Sequence, residues 1–375
     1  MREAFTPMWP QLGAKRFVGR QAQLARIIQA IDEERAHVVL YAERGRGKTS
    51  LANLAAEFLR HAGYTVAHYA CAAESDFEAI IRGLARDLPS PLLASPAASL
   101  EGCAAALPAG RLEPRDVVAL PSRLVGRHFV FVLDEYDRVS DNATRTRFAD
   151  TLKHISDRGA PISFLIVGVS DSLEQLLGRH PSIQRNVVGV PLPLLSNAEV
   201  EALVARGSQE AGLDFSSPVR ACIAALARGV PYYAQLLALR AGQAALERGA
   251  TAIAGPDLLV AIERTVAEAD PRVIALYDTL TEGGRADTLL SLLRAIAAGT
   301  QDEFGQFRAE VAADERLYVA GTVADPALWA RLLEAGAIRA CNGASLGTFA
   351  FGEATLRQYV LLRTVSLLLA RTTVP

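Results

Sequence analysis

The run 37-HVVLYA-42 carries no formally charged side chain and leads directly into 43-ERGRGKTS-50, a loop with two glycines, two arginines and a lysine between Arg44 and Lys48. A helical apolar period then resumes in 50-SLANLAAEFLRHAG-63 and stops at Gly63. A strand apolar on both faces has to be covered on both faces, and a strand that turns straight into a helix is the unit from which such covered parallel sheets are built. The same rhythm recurs. YTVAHYA (64–70) predicts a second strand, and SDFEAIIRGLARDL (75–88) a helix capped by Ser75 or Asp76. HFVFVLDEYD (128–137) is a third apolar run, followed by a polar helix near 142–157, the strand ISFLIVGVS (162–170) and a short last strand, NVVGVPL (186–192). Leu24, Ile27, Ile28 and Ile31 predict a helix over 21–31 ahead of the first strand, while residues 89–121 read as an irregular excursion with one short helix. The expected fold is α/β, about five parallel strands with helices on both faces.

After Pro193 the strand rhythm ends. Ser196 and Glu199 form a capping box that opens a run of helices to about residue 269. Helical segments near 272–280, 285–298 and 325–335 precede 337-AIRACNGASLGTFAFGE-353, two β-like runs about a glycine turn, which together suggest a winged-helix-like domain. The expected domains are therefore 1–192, a nucleotide core with an N-terminal segment; 193–269, a helical lid; and 270–375, the winged-helix-like part. A chain of 375 residues, half of them hydrophobic, has ample core material for this.

The loop 42-AERGRGKTS-50 follows the phosphate-binding pattern G-x-x-x-x-G-K-[ST], with Ala42 in the slot of the first glycine. Glycines at 45 and 47 let the backbone curl so that N–H groups from Arg44 to Ser50 face phosphate oxygens, at the positive end of the next helix. Lys48 would bridge the β and γ phosphates of ATP, and Thr49 would offer its hydroxyl to Mg²⁺. The strand FVFVLDE ends in two acids suited to the same chemistry: Asp134 for the Mg²⁺ shell, and Glu135 to polarise an attacking water. The net charge of −2 provides no general attraction to nucleic acid or to an anionic membrane. Cys71, Cys103, Cys222 and Cys341 are far apart, the N-terminus has no apolar leader core, and no run approaches the roughly 18 apolar residues of a span. The reading is a cytoplasmic chain with reduced thiols and no membrane partner.

These motifs resemble the AAA+ ATPases and the related STAND signalling ATPases. The segment 17-FVGRQAQL-24 looks like the box those families place before the phosphate loop, and the resemblance implies that Val18 and Gly19 pack near adenine. By the same resemblance Ser170 stands at the end of a sensor strand, and Arg185 stands where an arginine finger would reach a neighbouring subunit's ATP, which implies a homo-oligomer. The turn Gly229-Val230-Pro231 resembles the STAND signature in which the proline packs on the nucleotide, here Pro231; Arg228 or Arg240 could instead serve as a second sensor.

A winged helix behind such a core is also similar to origin-recognition and replication-licensing ATPases, which grip DNA. The candidate recognition helix 325-DPALWARLLEAG-336 offers only Arg331 against Asp325 and Glu334, and the wing ACNGASLGTF is uncharged. Trp329, Leu332 and Leu333 read as core. The expectation is a slow ATP-hydrolysing switch in which ATP drives lid closure, so that the last domain meets a protein partner, and hydrolysis to ADP resets it. The alternatives are an ATP-dependent DNA-binding protein of initiator or transposition-regulator type, and a nucleotide-binding scaffold that never turns over.

Overall fold

The strands with the longest apolar runs lie in the middle of one sheet, where both faces are covered. In the computed structural model, which describes residues 4–7, 18–89, 102–124, 128–170, 172–177, 185–282, 286–308, 325–341 and 347–372, five strands form this sheet: β1 (His37–Ala42), β2 (Thr65–Ala70), β3 (Phe129–Asp134), β4 (Ile162–Val169) and β5 (Val187–Pro191). All their pairings are parallel, in the order β2-β3-β4-β1-β5. β3 and β4 are buried almost throughout, whereas edge strands β2 and β5 are buried at only two positions each. That gradient follows from sheet position.

Side chains alternate across the sheet. Val38, Leu40, Val130, Val132, Leu165 and Val167 pack with Ile27 and Ile31 of α1 (Gln21–Asp32) and Leu51 and Leu59 of α2 (Lys48–His61). Val39, Phe129, Phe131 and Phe164 face the other side, with Phe77 and Ile80 of α3 (Phe77–Asp87), Val117 of α4 (Pro114–Ala119), Phe148 and Leu152 of α5 (Asn142–Arg158) and Leu176 of α6 (Leu173–Leu177). Asp76 caps α3 by accepting from the Ala79 amide. Part of the excursion, residues 90–101, lies outside the described residues; the rest holds α4 and two short 3₁₀ turns.

The chain divides into two compact units, Pro10–Leu192 and a second made of Met1–Trp9 with Pro193–Pro375. Residues 4–7, part of the N-terminal segment placed with the nucleotide core on sequence grounds, fall in the second unit. Phe5, 2 % exposed, inserts where Gly207 leaves room, stacks at a tilt on Phe215 at 5.6 Å, and the next amide, Thr6, donates to the Gln235 side chain.

The second unit contains α7 (Asn197–Ala211), with its Ser196–Glu199 capping box formed, and then β6 (Asp214–Phe215), α8 (Ser217–Ala227), α9 (Pro231–Glu247), β7 (Ala252–Ile253) and α10 (Gly255–Ala267). It continues with α11 (Pro271–Thr281), α12 (Ala286–Ala298), β8 (Phe307–Arg308), α13 (Pro326–Glu334), β9 (Ile338–Ala340), β10 (Thr348–Phe351) and α14 (Leu356–Thr372). The two expected β runs pair antiparallel, β10 taking β8 as a further neighbour, and Trp329, Phe307, Phe349 and Phe351 cluster on this small sheet. Leu332 is fully buried, but Leu333, expected in the core, is 39 % exposed. The tip of the expected wing, residues 342–346, is outside the described residues.

One buried polar group ties the first strand to its neighbours. His37 is fully buried; its Nδ1 accepts from the Phe164 amide and its Nε2 donates to the Leu152 carbonyl, so both nitrogens are used by the neutral ring. Burial, partly offset by the bond to the Leu152 carbonyl, lowers its pKa to about 4. The unfolded ring protonates near 6.5, so the stability His37 contributes is present above that pH and is lost as pH falls towards 4, by up to roughly 3 kcal/mol. Melting curves between pH 7.5 and 4.5 should show this loss. The slope should be shallower in His37→Gln, which can still donate and accept but does not titrate.

Candidate nucleotide-binding site

The C-terminal ends of three adjacent strands, β3, β4 and β1, converge on the glycine loop. Ala42 is aligned with Val169, and Leu133 with Ile166, so the loop, Ser170 and Asp134 all follow neighbouring strand ends. In parallel α/β sheets ligands bind at this end, in the crevice outside the strands' carboxyl termini.

The loop backbone has the expected curl. Gly45 (φ 78°) and Gly47 (φ 87°) lie in the left-handed region, where a side chain is strained, and Gly47 directly precedes α2. A Cβ at Gly47 would meet nothing within 4 Å, so its glycine is required by backbone conformation and not by protein crowding. Ala42 is the last residue of β1 and is not among the non-glycine residues with positive φ. Its methyl group therefore costs no backbone strain in the first-glycine slot.

Lys48 reaches back along the loop. Its ammonium donates to the carbonyls of Ala42 at 2.9 Å and Glu43 at 2.8 Å. Burial lowers its pKa to about 8; the carboxylates of Asp137 and then Asp134 oppose that shift, while Arg46 and Arg44 add to it. Asp137 was not singled out on sequence grounds. It follows Asp134 by one 3₁₀ turn, Tyr136–Arg138, and its Oδ1 accepts from the Val169 amide at 2.8 Å, pinning the end of β4 beside the acids of β3. The signal was the third acid in D-E-Y-D. Only the tight turn brings it within the field of the lysine.

The other expected site residues are placed as follows. Asp134 accepts the Glu135 amide on Oδ1 at 2.9 Å. Glu135 adopts φ 54°, and its carboxylate, 54 % exposed, pairs with Arg138 at 2.7 Å. Thr49 and Ser50 are half-buried in the first turn of α2, and Arg44 is exposed. Arg46 points the other way: its side chain is 3 % exposed, pairs with Glu43 at 2.9 Å and donates to the Leu192 carbonyl at 3.4 Å. Only its backbone N–H remains a candidate for phosphate. Val18 is half-buried and Gly19 buried; the next residue, Arg20, donates to the Arg46 carbonyl at 3.5 Å, joining that box to the loop.

Ser170 is 8 % exposed, its hydroxyl 2.6 Å from the Ser172 carbonyl and 2.9 Å from the Gln175 side chain. Arg185 is exposed in the turn before β5. Pro231 begins α9 in the second unit, where Arg228 donates to the carbonyls of Ala298 and Gly299 and Arg240 pairs with Glu268 at 2.7 Å.

The donor set fits Mg²⁺. This ion keeps several waters and takes one or two carboxylates with substrate phosphates, and Thr49 with Asp134 offers one hydroxyl and one carboxylate. No cluster of three or more His, Cys, Asp or Glu suited to a metal occurs among the described residues.

Residues 16–167 match the family model of the AAA ATPase domain. The Holliday junction branch migration complex subunit RuvB of Synechococcus sp. (strain RCC307) is 27 % identical over 203 residues, 48 % of this chain and 57 % of the relative, so the chain matches little more than half of that protein. Two solved structures share the fold over nearly their full lengths. A Walker-type ATPase of Pyrococcus abyssi has a TM-score of 0.55 at 16 % identity, covering 95 % of this chain and 99 % of its own. The ORC1 protein of Aeropyrum pernix in complex with DNA has a TM-score of 0.52 at 16 % identity, covering 99 % and 98 %. No helix among the described residues is long and apolar enough to cross a membrane.

The half-neutralised lysine makes anion binding pH-dependent. A bound phosphate favours the ammonium and raises its pKa, so binding should take up a proton once the free lysine has begun to lose its own, near pH 8. Titrations with a fluorescent ATP analogue should show affinity falling by up to about tenfold between pH 8 and 9. Calorimetry in two buffers of different ionisation enthalpy should report proton uptake approaching one per site at pH 9.

Proposed function

We propose that this chain, an AAA+ P-loop ATPase by its domain at residues 16–167 and by its fold, couples ATP binding and slow hydrolysis to a change in its second unit that is read by a protein partner. The observation that carries the nucleotide reading is the loop itself: two left-handed glycines and a half-buried lysine between β1 and α2, with Asp134 on β3 in the same sheet. Backbone N–H groups from Arg44 to Ser50 hold the phosphates, and Lys48 exchanges its two carbonyl partners for phosphate oxygens. Thr49 and Asp134 hold Mg²⁺, which supplies Lewis-acid stabilisation of the transferring phosphoryl group.

Glu135 is the candidate base. It has to leave Arg138 to meet a water, an exposed pair of the kind worth about 1 kcal/mol or less. Ser170 senses the γ-phosphate by giving up its local turn, Val18 and Gly19 pack near adenine, Pro231 reports nucleotide state, and Arg185 completes the site of a neighbouring copy in a homo-oligomer. The exposed position of Arg185 supports that role.

A protein partner is favoured over DNA by α13. Arg331 is the only basic residue between Pro326 and Glu334, and its guanidinium donates to the Glu282 carbonyl. The likeness to a DNA-bound ORC1 structure is the observation on the other side.

Phosphate release separates the readings. The wild type should turn over slowly; Lys48→Ala should lose nucleotide binding, and Glu135→Gln should bind ATP but release phosphate at least about 100-fold more slowly. Absence of turnover in a wild type that binds ATP would identify a scaffold. ATP-dependent, salt-sensitive retention on duplex DNA would identify the DNA-binding alternative.

A further inference from the structure

Arg46 sits in the middle of the phosphate loop, yet its side chain is turned into the protein. It spans the loop to Glu43 and reaches the carbonyl of Leu192, the last residue of the first unit. Leu192 is also held through its amide, which donates to the Tyr41 carbonyl at 3.0 Å, one residue before the loop begins. The following residues are fastened just as closely within the second unit. The Leu194 amide donates to the Glu303 carbonyl at 2.6 Å, and the Leu195 amide donates to the Gly229 carbonyl at 2.9 Å. Gly229 has φ +78°, and a Cβ there would lie 2.4 Å from the Leu195 carbonyl oxygen, so the Gly229-Val230-Pro231 turn and the connector meet backbone to backbone.

Leu192–Leu195 is thus a four-residue strap with Pro193 inside it. Its first residue bonds to Tyr41, just before the phosphate loop, and to Arg46 within it, and its last bonds to the Gly-x-Pro turn. A planar guanidinium is suited to the first junction because it can hold a carboxylate and a carbonyl at once, which an ammonium on a flexible stem does less well. The bond to Leu192 is long, 3.4 Å, while the pair with Glu43 is short, 2.9 Å. A change in the curl between Glu43 and Arg46 therefore alters the Leu192 bond first.

We propose that Arg46 is a positioning residue that couples the phosphate loop to the strap Leu192–Leu195, so that ATP and ADP leave different hydrogen bonding at Leu194, Leu195 and the Gly229 turn. The proposal rests on the nucleotide-binding reading of the loop. It assigns Arg46 a task other than contacting phosphate with its side chain.

The test is hydrogen exchange on the full-length protein, read in peptides covering 190–196 and 226–232. Samples are saturated with a non-hydrolysable ATP analogue or with ADP, and occupancy is checked with a fluorescent nucleotide. In the wild type the two nucleotides should give exchange rates differing several-fold in both peptides. Arg46→Gln, at matched occupancy, should abolish that difference. Arg46→Lys should abolish it too, because it keeps the charge beside Glu43 but not the two-armed reach; a purely electrostatic or stabilising role would be rescued by lysine. Pro193→Gly, which slackens the strap without touching the loop, should lower the difference while leaving affinity unchanged, and it decides the matter if the Arg46 variants fail to fold. An undiminished difference in Arg46→Gln or Pro193→Gly overturns the proposal, as does a wild type that binds both nucleotides with identical exchange. A wild type that takes up no fluorescent nucleotide overturns the nucleotide reading itself, a distinguishable result.

Discussion

A loop with Arg44, Arg46 and Lys48 inside five residues repels itself, and the way those charges are balanced organises the site around them. Arg46 is buried against Glu43, whereas Arg44 stays in solvent. Lys48 is drawn inward onto two carbonyls, under the field of Asp137 and Asp134. Those acids lie at and just after the end of β3, which is separated from β1 by β4, so the balance depends on strand order. With β4 in between, the lysine and the acids still interact electrostatically. Asp137 also bonds the end of β4, so the group that opposes the lysine's loss of charge also fixes the strand leading to Ser170.

Backbone strain gathers in the same places. Among the described residues, the non-glycine positions with positive φ are Arg20, Arg35, Glu135 and Arg228. Three of these four fall in motifs: the box before the loop, the acid pair after β3, and the turn before Pro231. Each costs on the order of 1 kcal/mol and persists because its surroundings hold it. Arg20 is held by its bond to the loop, Glu135 by Asp134 and Arg138, and Arg228 by two helix-end carbonyls. Glu135 is the case with chemical consequence, since a weak surface pair occupies the candidate base.

The five strands were legible because central parallel strands are apolar throughout and end in recognisable turns. Gly45, Gly47, Lys48, Thr49 and Asp134 were legible for the same reason: loop and acid each follow a strand end. Asp137 was not, because its role depends on a 3₁₀ turn that no periodicity announces. Nor was the inward orientation of Arg46, which needs Leu192, 146 positions away, to be explained. Phe5 is a lone aromatic in a short segment, and its partners Gly207 and Phe215 are some 200 residues distant. Leu356–Thr372 is apolar on too many faces for a clear helical period, so α14 emerges only from tertiary packing.

Within the second unit, helices on the two sides of residue 269, where the sequence suggests a boundary, share hydrogen bonds at one helix end. The last carbonyls of α12, which a helix leaves unsatisfied, are taken up by two arginines from distant parts of the chain. Arg228, next to the Gly-x-Pro turn, donates to Ala298 and Gly299; Arg357, buried in α14, donates to Ala297 and Gly299 and meets the Gln301 side chain. A cation at a helix C-terminus is favoured by the helix dipole as well as by these bonds. The helices before residue 269 and those after it are therefore joined at one helix end by the partly buried charge-assisted bonds of Arg228. The Gly229 turn, through its neighbour Arg228, thus shares the end of α12 with Arg357 of α14.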